Sequence, residues 1–451
     1  MRSLVKKIVP RTLFQRLAPT GHLVEAALYT VKNRFPARGL QVIGVTGTNG
    51  KTTTSFLIHR MLHESGYKVG LMTTVAYGAG SDIKPQISHL TTPSVGLLHK
   101  RITELKNQGI EYLVLETTSH ALAQHRVFAV PYSVAVMTNL THEHLDYHGT
   151  FERYRAAKLK LFKLTNRNRK GLRAGVANAD DPNGKLFAAA IKNPTLYGID
   201  HGDLRATDIK LSPAGVSYTA RAGTDEYHIT CQLTGKFNVY NSLAAVAAGR
   251  ALGLSKAQIE HGIAALEGVE GRMTRIDEGQ NFDVIVDYAH TPDSFEQLFK
   301  DLRPVVKAKL IVLFGSAGRR DEAKRAVQGE LAGRYADEVI ITEEDDRDMD
   351  GQEIMVQIAA AAEKAGKQQG KDLFLVHDRP EAIQFAIDRA GKDDTLLLLG
   401  KGHEKDILRN GPRAAELRHL QQDDVNPERV IKIKWDEAAA ARKALRKHLK
   451  K

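Results

Sequence analysis

Short apolar runs rich in β-branched residues alternate with helical stretches from Gln41 onward, and this alternation constrains the fold more than any other feature. The runs at 41–46, 111–116 and 132–140 are predicted to be buried strands of one sheet. The stretch 204–234 instead alternates with period two between turn residues, which predicts antiparallel strands or hairpins. We therefore expect an α/β domain over residues 41–270, built on a mostly parallel sheet.

A second alternating series begins near Glu270. Its predicted strands are residues 282–289, 309–318, 337–343, 372–378 and 395–404. This series predicts a second, Rossmann-like α/β domain over residues 271–435. Two such domains suit a chain of 451 residues, because that length exceeds what one hydrophobic core supports. Residues 1–40 are expected to form a short basic helical segment, and residues 436–451 a basic helical tail.

Positive charge is concentrated at the two ends of the chain. Residues 1–40 hold eight Lys or Arg and one acid, residues 436–451 hold six and two, and together they carry +11 of the net charge of +12. The nearly neutral remainder argues against a nucleic-acid partner. The basic tail is predicted to be a solvated helix, with contact to an anionic membrane surface or to an acidic partner as the alternatives.

The cysteine content and the hydropathy indicate in which cellular compartment the protein is expected. Cys231 is the only cysteine, which excludes an internal disulfide and a cysteine-rich zinc site. No apolar run reaches the roughly 18 residues that would cross a bilayer, and Pro10 and Arg11 interrupt the basic start before a signal-peptide core forms. We therefore expect a cytoplasmic protein.

The segment VIGVTGTNGKTTT, residues 42–54, combines a strand, a glycine-rich turn and a helix that begins near Lys51. Glycines can adopt backbone angles closed to other residues, which lets successive N–H groups face phosphate oxygens at the helix N-terminus. Lys51 would contact the β and γ phosphates, and Thr52 would offer its hydroxyl to Mg²⁺. The strict P-loop pattern is not met, since Val45 occupies its first glycine position. We nevertheless predict a P-loop ATPase domain. The residues expected to bind ATP are Gly47, Thr48, Asn49, Gly50, Lys51, Thr52 and Thr53.

Polar residues follow the next two predicted strands. Glu116 ends one apolar strand, and His144 lies shortly after the other. The carboxyl ends of strands in an open α/β sheet gather ligands, and both side chains suit a divalent metal. Lys158 lies on a predicted amphipathic helix, where a lysine is normally a surface residue, so its position alone assigns it no role.

Four motifs carry a resemblance to a known family. They are TGTNGKTT (46–53), ETTSHALAQHRV (116–127), TNLTHEHLDYHGTFERYRAAKLKLF (138–162) and VDYAHTPD (286–293). In this order, and over roughly residues 41–430, the chain resembles the Mur ligases, above all the branch that adds the third residue of the peptidoglycan stem peptide. The resemblance implies an ATP-dependent ligase that forms an amide through an acyl phosphate. It also implies two Mg²⁺ ions, a carbamylated Lys158 that holds one of them with Glu116 and His144, and catalytic roles for Lys51, Lys158 and His144.

The resemblance further implies three sets of substrate residues. Those for a UDP-muramoyl-dipeptide are Thr91, Thr92, Thr118 or Ser119, Gln124 and Arg126. Those for ATP beyond the phosphate loop are Asn139, Asn238 and Asn241 in the first domain and Arg272, Asp287 and His290 in the second, so domain closure would precede chemistry. Those for the incoming amino acid are Arg320, Asp345, Arg347, Gly400 and Glu404.

Two departures from the family pattern affect the substrates. Relatives that add diaminopimelate have Asp-Asn-Pro-Arg where this chain reads Glu344-Asp345-Asp346-Arg347. The retained arginine favours meso-diaminopimelate, and the changed neighbours leave L-lysine open. The family also has about a hundred residues for the uridine nucleotide before its phosphate loop, whereas only 40 precede it here, so residues 1–40 resemble a truncated uridine-binding region.

Two other functions remain as alternatives. A ligase that adds glutamates to a folate-like acceptor would fit the short N-terminal segment, although the SHALAQHRV and DYAHTPD segments argue against it. A P-loop ATPase without ligase activity would fit the high isoelectric point. In each case we expect a monomer without nucleic acid or a membrane span, whose basic ends could contact a membrane peripherally.

Overall fold

The computed structural model describes residues 11–86, 90–212, 215–319, 322–410 and 430–450. The chain divides into two compact units, Met1–Glu267 and Gly268–Lys451. Both are α/β, as the sequence predicts. Within the described residues, no helix combines the length and the apolarity that a membrane span requires.

The first unit is built on one sheet of eleven strands. The strands are β1 Gln41–Thr46, β2 Val69–Met72, β3 Ala76–Ala79, β4 Asp82–Pro85, β5 Tyr112–Glu116, β6 Tyr132–Met137, β7 Ala174–Asn178, β8 Asn193–Gly198, β9 Leu204–Ser212, β10 Gly215–Ala222 and β11 Asp225–Cys231. Their order is β11-β10-β9-β8-β7-β6-β1-β5-β2-β3-β4. In this order, every neighbouring pair between β9 and β2 is parallel. The pairs at the two edges, among β9, β10 and β11 and among β2, β3 and β4, are antiparallel. The mostly parallel sheet and the antiparallel strands over 204–234 are therefore confirmed.

Nine helices accompany this sheet in the described part of the unit. They are α1 Arg11–Lys32, α2 Lys51–Glu64, α3 Val95–Asn107, α4 Ser119–Ala123, α5 Leu145–His148, α6 Phe151–Arg167, α7 Gly184–Ala188, α8 Lys236–Ala251 and α9 Lys256–Ala264. The central strands are buried along their length, which explains their uninterrupted apolar sequences. Because β5 and β6 flank β1 in parallel, the carboxyl ends of all three meet at one edge of the sheet.

The second unit contains a six-stranded sheet in the order β12-β13-β17-β14-β15-β16. Its strands are β12 Thr274–Ile276, β13 Asp283–Asp287, β14 Leu310–Phe314, β15 Glu338–Ile341, β16 Leu373–Leu375 and β17 Thr395–Leu399; β18 Asp406–Asn410 and β19 Val430–Lys434 form a separate antiparallel pair. Only β12 runs antiparallel in the larger sheet. The helices described here are α10 Pro292–Leu302, α11 Ala323–Tyr335, α12 Gly351–Lys364, α13 Arg379–Arg389 and α14 Glu437–His448, with a 3₁₀ turn at Arg303–Val305.

The basic helix α14 is part of the second unit's core. Ala441 and Leu445 are fully buried in it. Glu437 and Arg379 form an ion pair with no solvent exposure, in which Nη2 donates to Oε1 over 2.6 Å. Removing one partner of such a pair leaves an uncompensated buried charge. One face of α14 is thus packed, although the sequence predicts a solvated helix.

Candidate active site

The turn between β1 and α2 approaches its neighbours so closely that glycine is required at two positions. Gly47 has φ +150° and Gly50 has φ +79°. A Cβ on Gly47 would lie 1.9 Å from Thr138 Oγ1, and one on Gly50 would lie 2.2 Å from Asn241 Oδ1. The turn is therefore a backbone cradle at the N-terminus of α2, an arrangement suited to phosphate.

Asn139, at the end of β6, holds this turn. Its Oδ1 accepts from the Asn49 N–H over 2.8 Å, its Nδ2 donates to the Asn49 carbonyl over 3.2 Å, and its own carbonyl accepts from the Thr48 N–H over 2.9 Å. The Thr48 and Asn49 amides, which the sequence predicts to face phosphate, are thus engaged in fixing the turn. The amides at the start of α2, from Gly50 to Thr53, remain the predicted phosphate donors.

The close approach at Gly50 leads to a stability prediction with a matched control. Gly66, beyond the other end of α2, has φ +85° and nothing within 4 Å of a Cβ. Gly66→Ala should therefore cost only the left-handed backbone strain, about 1–2 kcal/mol. Gly50→Ala should cost about 1–3 kcal/mol more, because its methyl group meets the buried Asn241. Urea unfolding followed by circular dichroism measures the difference, since the only tryptophan, Trp435, lies in the second unit. Equal losses would show that the cradle has room for a side chain.

Lys51, Thr52 and Glu116 lie together at this edge of the sheet. Lys51 Nζ donates to the Thr48 carbonyl over 2.8 Å, which places the ammonium over the turn. Thr52 Oγ1 donates to Glu116 Oε2 over 3.0 Å, and both side chains are buried. Thr74 adds two hydrogen bonds to the same carboxylate, from its N–H (2.9 Å) and from its hydroxyl (3.0 Å). A fixed carboxylate beside a hydroxyl is an oxygen set that Mg²⁺ prefers.

Lys158 is buried on α6, where the sequence alone favours a surface lysine. Its side chain is 2% exposed, and Nζ donates to the Gly47 carbonyl over 2.5 Å. The ammonium also lies 4.7 Å from the centroid of the Tyr154 ring. Burial lowers the pKa of Lys158 well below the ordinary lysine value, and the nearby Lys51 lowers it further, whereas Glu143 and Glu116 act in the opposite direction. The amine therefore loses its proton more readily than an ordinary lysine does.

His144 lies at the entrance to this cluster. It precedes α5 in a left-handed conformation with φ +56°, and its side chain is 40% exposed. Its ring packs against His120 at 4.7 Å and lies 6.1 Å from the ring of Tyr154. Glu143 Oε2 is 3.6 Å from its Nε2. Tyr154 is therefore a common neighbour of His144 and Lys158.

Four of the six residues predicted to bind the acyl substrate form one hydrogen-bond network. Thr92 Oγ1 accepts from the Thr118 N–H over 3.1 Å, and the Thr92 carbonyl accepts from Arg126 Nη1 over 2.9 Å. Gln124 Oε1 accepts from Arg126 Nε over 2.9 Å and from Nη2 over 2.6 Å. Arg126 is therefore held at a fixed orientation, as a site for an anionic group requires.

The other two residues predicted to bind the acyl substrate, Thr91 and Ser119, are next to Thr92 and Thr118 in the chain. Ser119 begins α4, is buried, and lies with its Oγ 3.0 Å from His148 Nε2. Thr91 is half-buried next to Thr92. Ser119 is thus committed to a contact between α4 and α5.

Two of the three asparagines predicted to bind ATP beyond the phosphate loop, Asn238 and Asn241, lie inside α8 and do not cap it. Asn241 Nδ2 donates to Asn238 Oδ1 over 2.9 Å, and Asn238 Nδ2 donates to the Thr234 carbonyl over 2.7 Å. Asn241 Oδ1 accepts from Thr54 Oγ1 over 3.4 Å, beside Gly50. Asn241 thus contacts the phosphate turn, and Asn238 orients the Asn241 side chain by accepting its hydrogen bond.

In the second unit, the residues predicted to meet ATP cluster around Tyr288. The guanidinium carbon of Arg272 lies 4.8 Å from the centroid of that ring, and His290 Nδ1 lies 2.8 Å from the Tyr288 carbonyl. Asp287 is buried and accepts from the Met273 N–H (2.8 Å) and from the Ala289 N–H (2.7 Å). Burial raises the pKa of Asp287, while Arg272 and these N–H groups act against the rise.

A buried lysine for which the sequence predicts no role, Lys401, joins residues of the predicted amino-acid pocket. Lys401 Nζ, fully buried, donates to Asp345 Oδ1 over 3.0 Å and to Glu404 Oε2 over 2.7 Å. The Leu408 N–H donates to the same Asp345 oxygen over 2.9 Å, and the Leu408 carbonyl accepts from the Arg347 N–H over 2.8 Å. Gly400 precedes Lys401 with φ +98°. Three of the five predicted residues, Asp345, Arg347 and Glu404, therefore belong to one network, Gly400 adjoins it in the chain, and Arg320 lies outside the described residues.

Three contributors to these sites were missed from sequence: Thr74, Tyr154 and Lys401. Tyr154 precedes Lys158 by four residues on α6, so helical spacing could have placed both on one face. Thr74 follows the end of β2, which neighbours β5, so the strand-end rule could have included it. Lys401 lies between two predicted residues, Gly400 and Glu404, but nothing in its spacing indicates burial.

In the described residues, three acid or imidazole groups with ligand atoms within 4.8 Å of one another occur at Glu343, Asp346 and His377. Asp346 Oδ2 lies 2.8 Å from His377 Nε2, and this hydrogen bond raises the pKa of His377. Glu343, however, is already ion-paired with Arg409 and accepts from the Arg379 N–H over 3.1 Å. The positive guanidinium of Arg409 on Glu343 would repel a metal cation at this cluster, so the cluster is better explained as an ion-pair network.

Comparisons with known proteins identify the family. The Mur ligase middle domain matches residues 45–249, and the Mur ligase glutamate ligase domain matches residues 271–402. A UDP-N-acetylmuramyl-tripeptide synthetase of Roseiflexus sp. (strain RS-1) is 39% identical over 442 residues, which cover 95% of this chain and 82% of that protein.

Relatives named for diaminopimelate are similar to the chain to the same degree. A UDP-N-acetylmuramoyl-L-alanyl-D-glutamate–2,6-diaminopimelate ligase of Geobacillus thermodenitrificans (strain NG80-2) is 41% identical over 374 residues, 82% of this chain and 75% of that protein. A solved structure of a ligase with the same name matches with a TM-score of 0.62 and 29% identity, covering 91% of this chain and 79% of that one. The family resemblance predicted from the four motifs is therefore confirmed. The chain belongs to the Mur ligase family of ATP-dependent, amide-forming ligases, which use ATP and Mg²⁺.

Proposed function

We propose that the protein joins a diamino acid to UDP-N-acetylmuramoyl-L-Ala-D-Glu, at the expense of ATP, in the synthesis of peptidoglycan precursors. The observation that carries this proposal is the cluster of Lys51, Glu116 and Lys158 around the glycine turn at the ends of β1 and β5. Relatives about 40% identical over most of the chain, named for this reaction, support it.

The chemistry requires stabilisation of negative charge in two steps. A carboxylate is a poor acyl donor, so one of its oxygens first attacks the γ phosphorus of ATP, which gives an acyl phosphate and ADP. The amine then attacks the acyl carbon, forms a tetrahedral oxyanion and expels phosphate, with loss of a proton from nitrogen. Lys51, fixed over the turn by the Thr48 carbonyl, supplies a preorganised positive charge for the phosphates in the first step.

Lys158 has the properties that carbamylation needs. Burial favours its neutral amine, whose lone pair can attack carbon dioxide to form an N–C bond with release of a proton. The product is an anion at a position where the unmodified side chain would offer a cation or a neutral amine. We propose that this carbamate, together with Glu116 and His144, holds one Mg²⁺, and that Thr52 contributes to a second. Bound there, the two ions would supply positive charge for the phosphate groups.

The acyl substrate is assigned to the network around Arg126. Its guanidinium is oriented by Gln124 and by the Thr92 carbonyl, as recognition of a carboxylate or a pyrophosphate requires. Thr91, Thr118 and Ser119 complete the proposed contacts at the start of α4. The Thr92 hydroxyl also donates a hydrogen bond to the backbone carbonyl of Glu116 over 2.9 Å. This hydrogen bond couples the network to the proposed metal site.

For the amino acid we propose meso-diaminopimelate, with L-lysine as the alternative. Glu404 is partly exposed, with a side-chain exposure of 35%, and can accept a distal ammonium group. Arg347 is retained from the diaminopimelate pattern and offers a guanidinium for the distal carboxylate, which lysine lacks. We propose that Arg320 contributes to the same pocket.

A matrix of acceptors and amino acids tests this function. The purified protein is incubated with ATP and Mg²⁺, each acceptor is combined with each amino acid, and products are scored by mass. We expect a product only from the UDP-muramoyl-dipeptide, with diaminopimelate preferred over lysine. Arg347→Met should lower kcat/KM for diaminopimelate about 100-fold, the cost of an unpaired carboxylate, and leave lysine nearly unaffected.

Other outcomes would contradict the proposal in distinguishable ways. Product from a pteroyl-glutamate acceptor would indicate a folate-type ligase, and phosphate release without any acceptor would indicate an ATPase. Equal loss with both amino acids in Arg347→Met would refute the assignment of Arg347 but leave the ligase reaction intact.

We further propose that the protein acts in the cytoplasm as a monomer. Its single thiol, Cys231, is buried, and burial raises the thiol pKa to about 11, as in a structural, unreactive cysteine.

A further inference from the structure

Helix α1 presents an apolar face to solvent. Val24, Leu28 and Val31 follow one another at helical spacing and are 53%, 67% and 64% exposed. Phe35, just beyond the end of the helix, is 47% exposed. Scattered surface apolar residues need no explanation, but Val24, Leu28 and Val31, at spacings of four and three, share one face of the helix, and Phe35 follows just beyond its end. We call these four residues the α1 stripe.

The opposite side of α1 is anchored to the first unit. Ala26 and Thr30 are 1% exposed, and Tyr29 packs so tightly over α3 that a Cβ on Gly96 would lie 3.1 Å from its ring. At the end of this segment, Lys106 of α3 donates to the Arg38 carbonyl over 2.7 Å. The α1 stripe is therefore held outward by packing on the other face.

The charge around the stripe is almost entirely positive. Lys32, Arg34 and Arg38 are exposed at its carboxyl end, and residues 1–40 contain eight Lys or Arg against one acid, Glu25. Two copies docked stripe to stripe would bring together two segments that each carry a clear excess of positive charge, which Coulomb repulsion opposes. An anionic surface is attracted by the same cations while the apolar side chains leave water.

We propose that the α1 stripe and its flanking cations dock the protein on an anionic lipid bilayer. The helix lies in the plane of the interface, with Val24, Leu28, Val31 and Phe35 among the upper acyl chains and Lys32, Arg34 and Arg38 at the headgroup phosphates. None of these residues belongs to the phosphate turn, the proposed metal site or the hydrogen-bond networks assigned to the substrates.

Vesicle flotation of the full-length protein tests the proposal. We expect binding to vesicles of phosphatidylcholine mixed with phosphatidylglycerol, little binding to phosphatidylcholine alone, and a loss of binding as salt is raised. The double variant Leu28→Glu/Val31→Glu should bind at least about tenfold more weakly than the wild type, because it removes two apolar contacts and adds two anions. Val356→Glu is the matched control, since Val356 is 57% exposed on α12 in the other unit, and it should bind like the wild type.

Circular dichroism and the urea unfolding midpoint show whether the double variant is folded, and both should match the wild type. Absence of vesicle binding by the wild type, or equal binding by the double variant, would overturn the proposal. A concentration-dependent dimer in light scattering that the double variant abolishes, without vesicle binding by the wild type, would assign the stripe to a second copy instead.

Discussion

Lys51→Met should lower the rate of amide formation on the order of 1,000-fold, because it removes a preorganised charge from the phosphates that react. Lys51 Nζ is fixed by the Thr48 carbonyl, so in the wild-type protein little reorganisation is needed when charge develops. Methionine retains most of the length of the side chain and leaves the start of α2 intact. The measurement is ADP release in the presence of the acceptor, the amino acid and Mg²⁺ at saturating ATP.

Lys256→Met is the matched control for this variant. Lys256 is the first residue of α9, as Lys51 is of α2, but it is exposed at the surface and faces Glu260 at 3.8 Å. Its loss should change ADP release less than twofold, as expected for an exposed ion pair. A Lys51→Met enzyme with a rate within tenfold of the wild type would exclude Lys51 from the reaction.

Lys158→Met should abolish ligation without destabilising the protein. The variant cannot form a carbamate, so amide formation should fall by about 1,000-fold or more if that anion holds a metal ion. Labelled bicarbonate should give a carbamate carbon resonance in the wild type that is absent from the variant. Lys160→Met, at an exposed position on the same helix, should keep both the resonance and the activity.

The stability of this variant follows from the sign of the pKa shift. Burial lowers the pKa of Lys158 in the folded chain, so between that lowered value and the ordinary lysine value the unfolded chain binds the extra proton. The wild type therefore loses stability, relative to the methionine variant, as the pH falls below the ordinary lysine pKa. In degassed, metal-free buffer at neutral pH, the unfolding midpoint of Lys158→Met should equal or exceed that of the wild type. A clearly lower midpoint would mean that the hydrogen bond to the Gly47 carbonyl outweighs desolvation of the amine.

The strands of both sheets could be predicted because their signal is local. A strand buried on both faces must be apolar throughout, as β1, β6 and β17 are. Strand ends were less predictable: β16 covers only Leu373–Leu375 of the predicted 372–378, because pairing with β15 stops there. The phosphate turn was recognisable for the same local reason, since its glycines, lysine and threonine are adjacent in the chain.

Burial of single polar side chains was not predictable. Lys158 reads as a surface lysine because helical spacing alone does not say which face of α6 packs against the sheet. Thr74 reaches Glu116 from 42 positions away, and Arg379 pairs with Glu437 across 58 positions. Nothing local marks such partners.

The two α/β units, the glycine turn before α2 and, through motifs in a fixed order, the family all follow from local signals in the chain. The desolvation of Lys158 beside Lys51, the link that Lys401 makes between Asp345 and Glu404, and the exposure of the α1 stripe follow only from the folded arrangement. The physical reason is that hydrophobic periodicity and backbone conformation are properties of neighbouring residues. Desolvation and charge proximity depend instead on segments that meet only after the sheet has assembled.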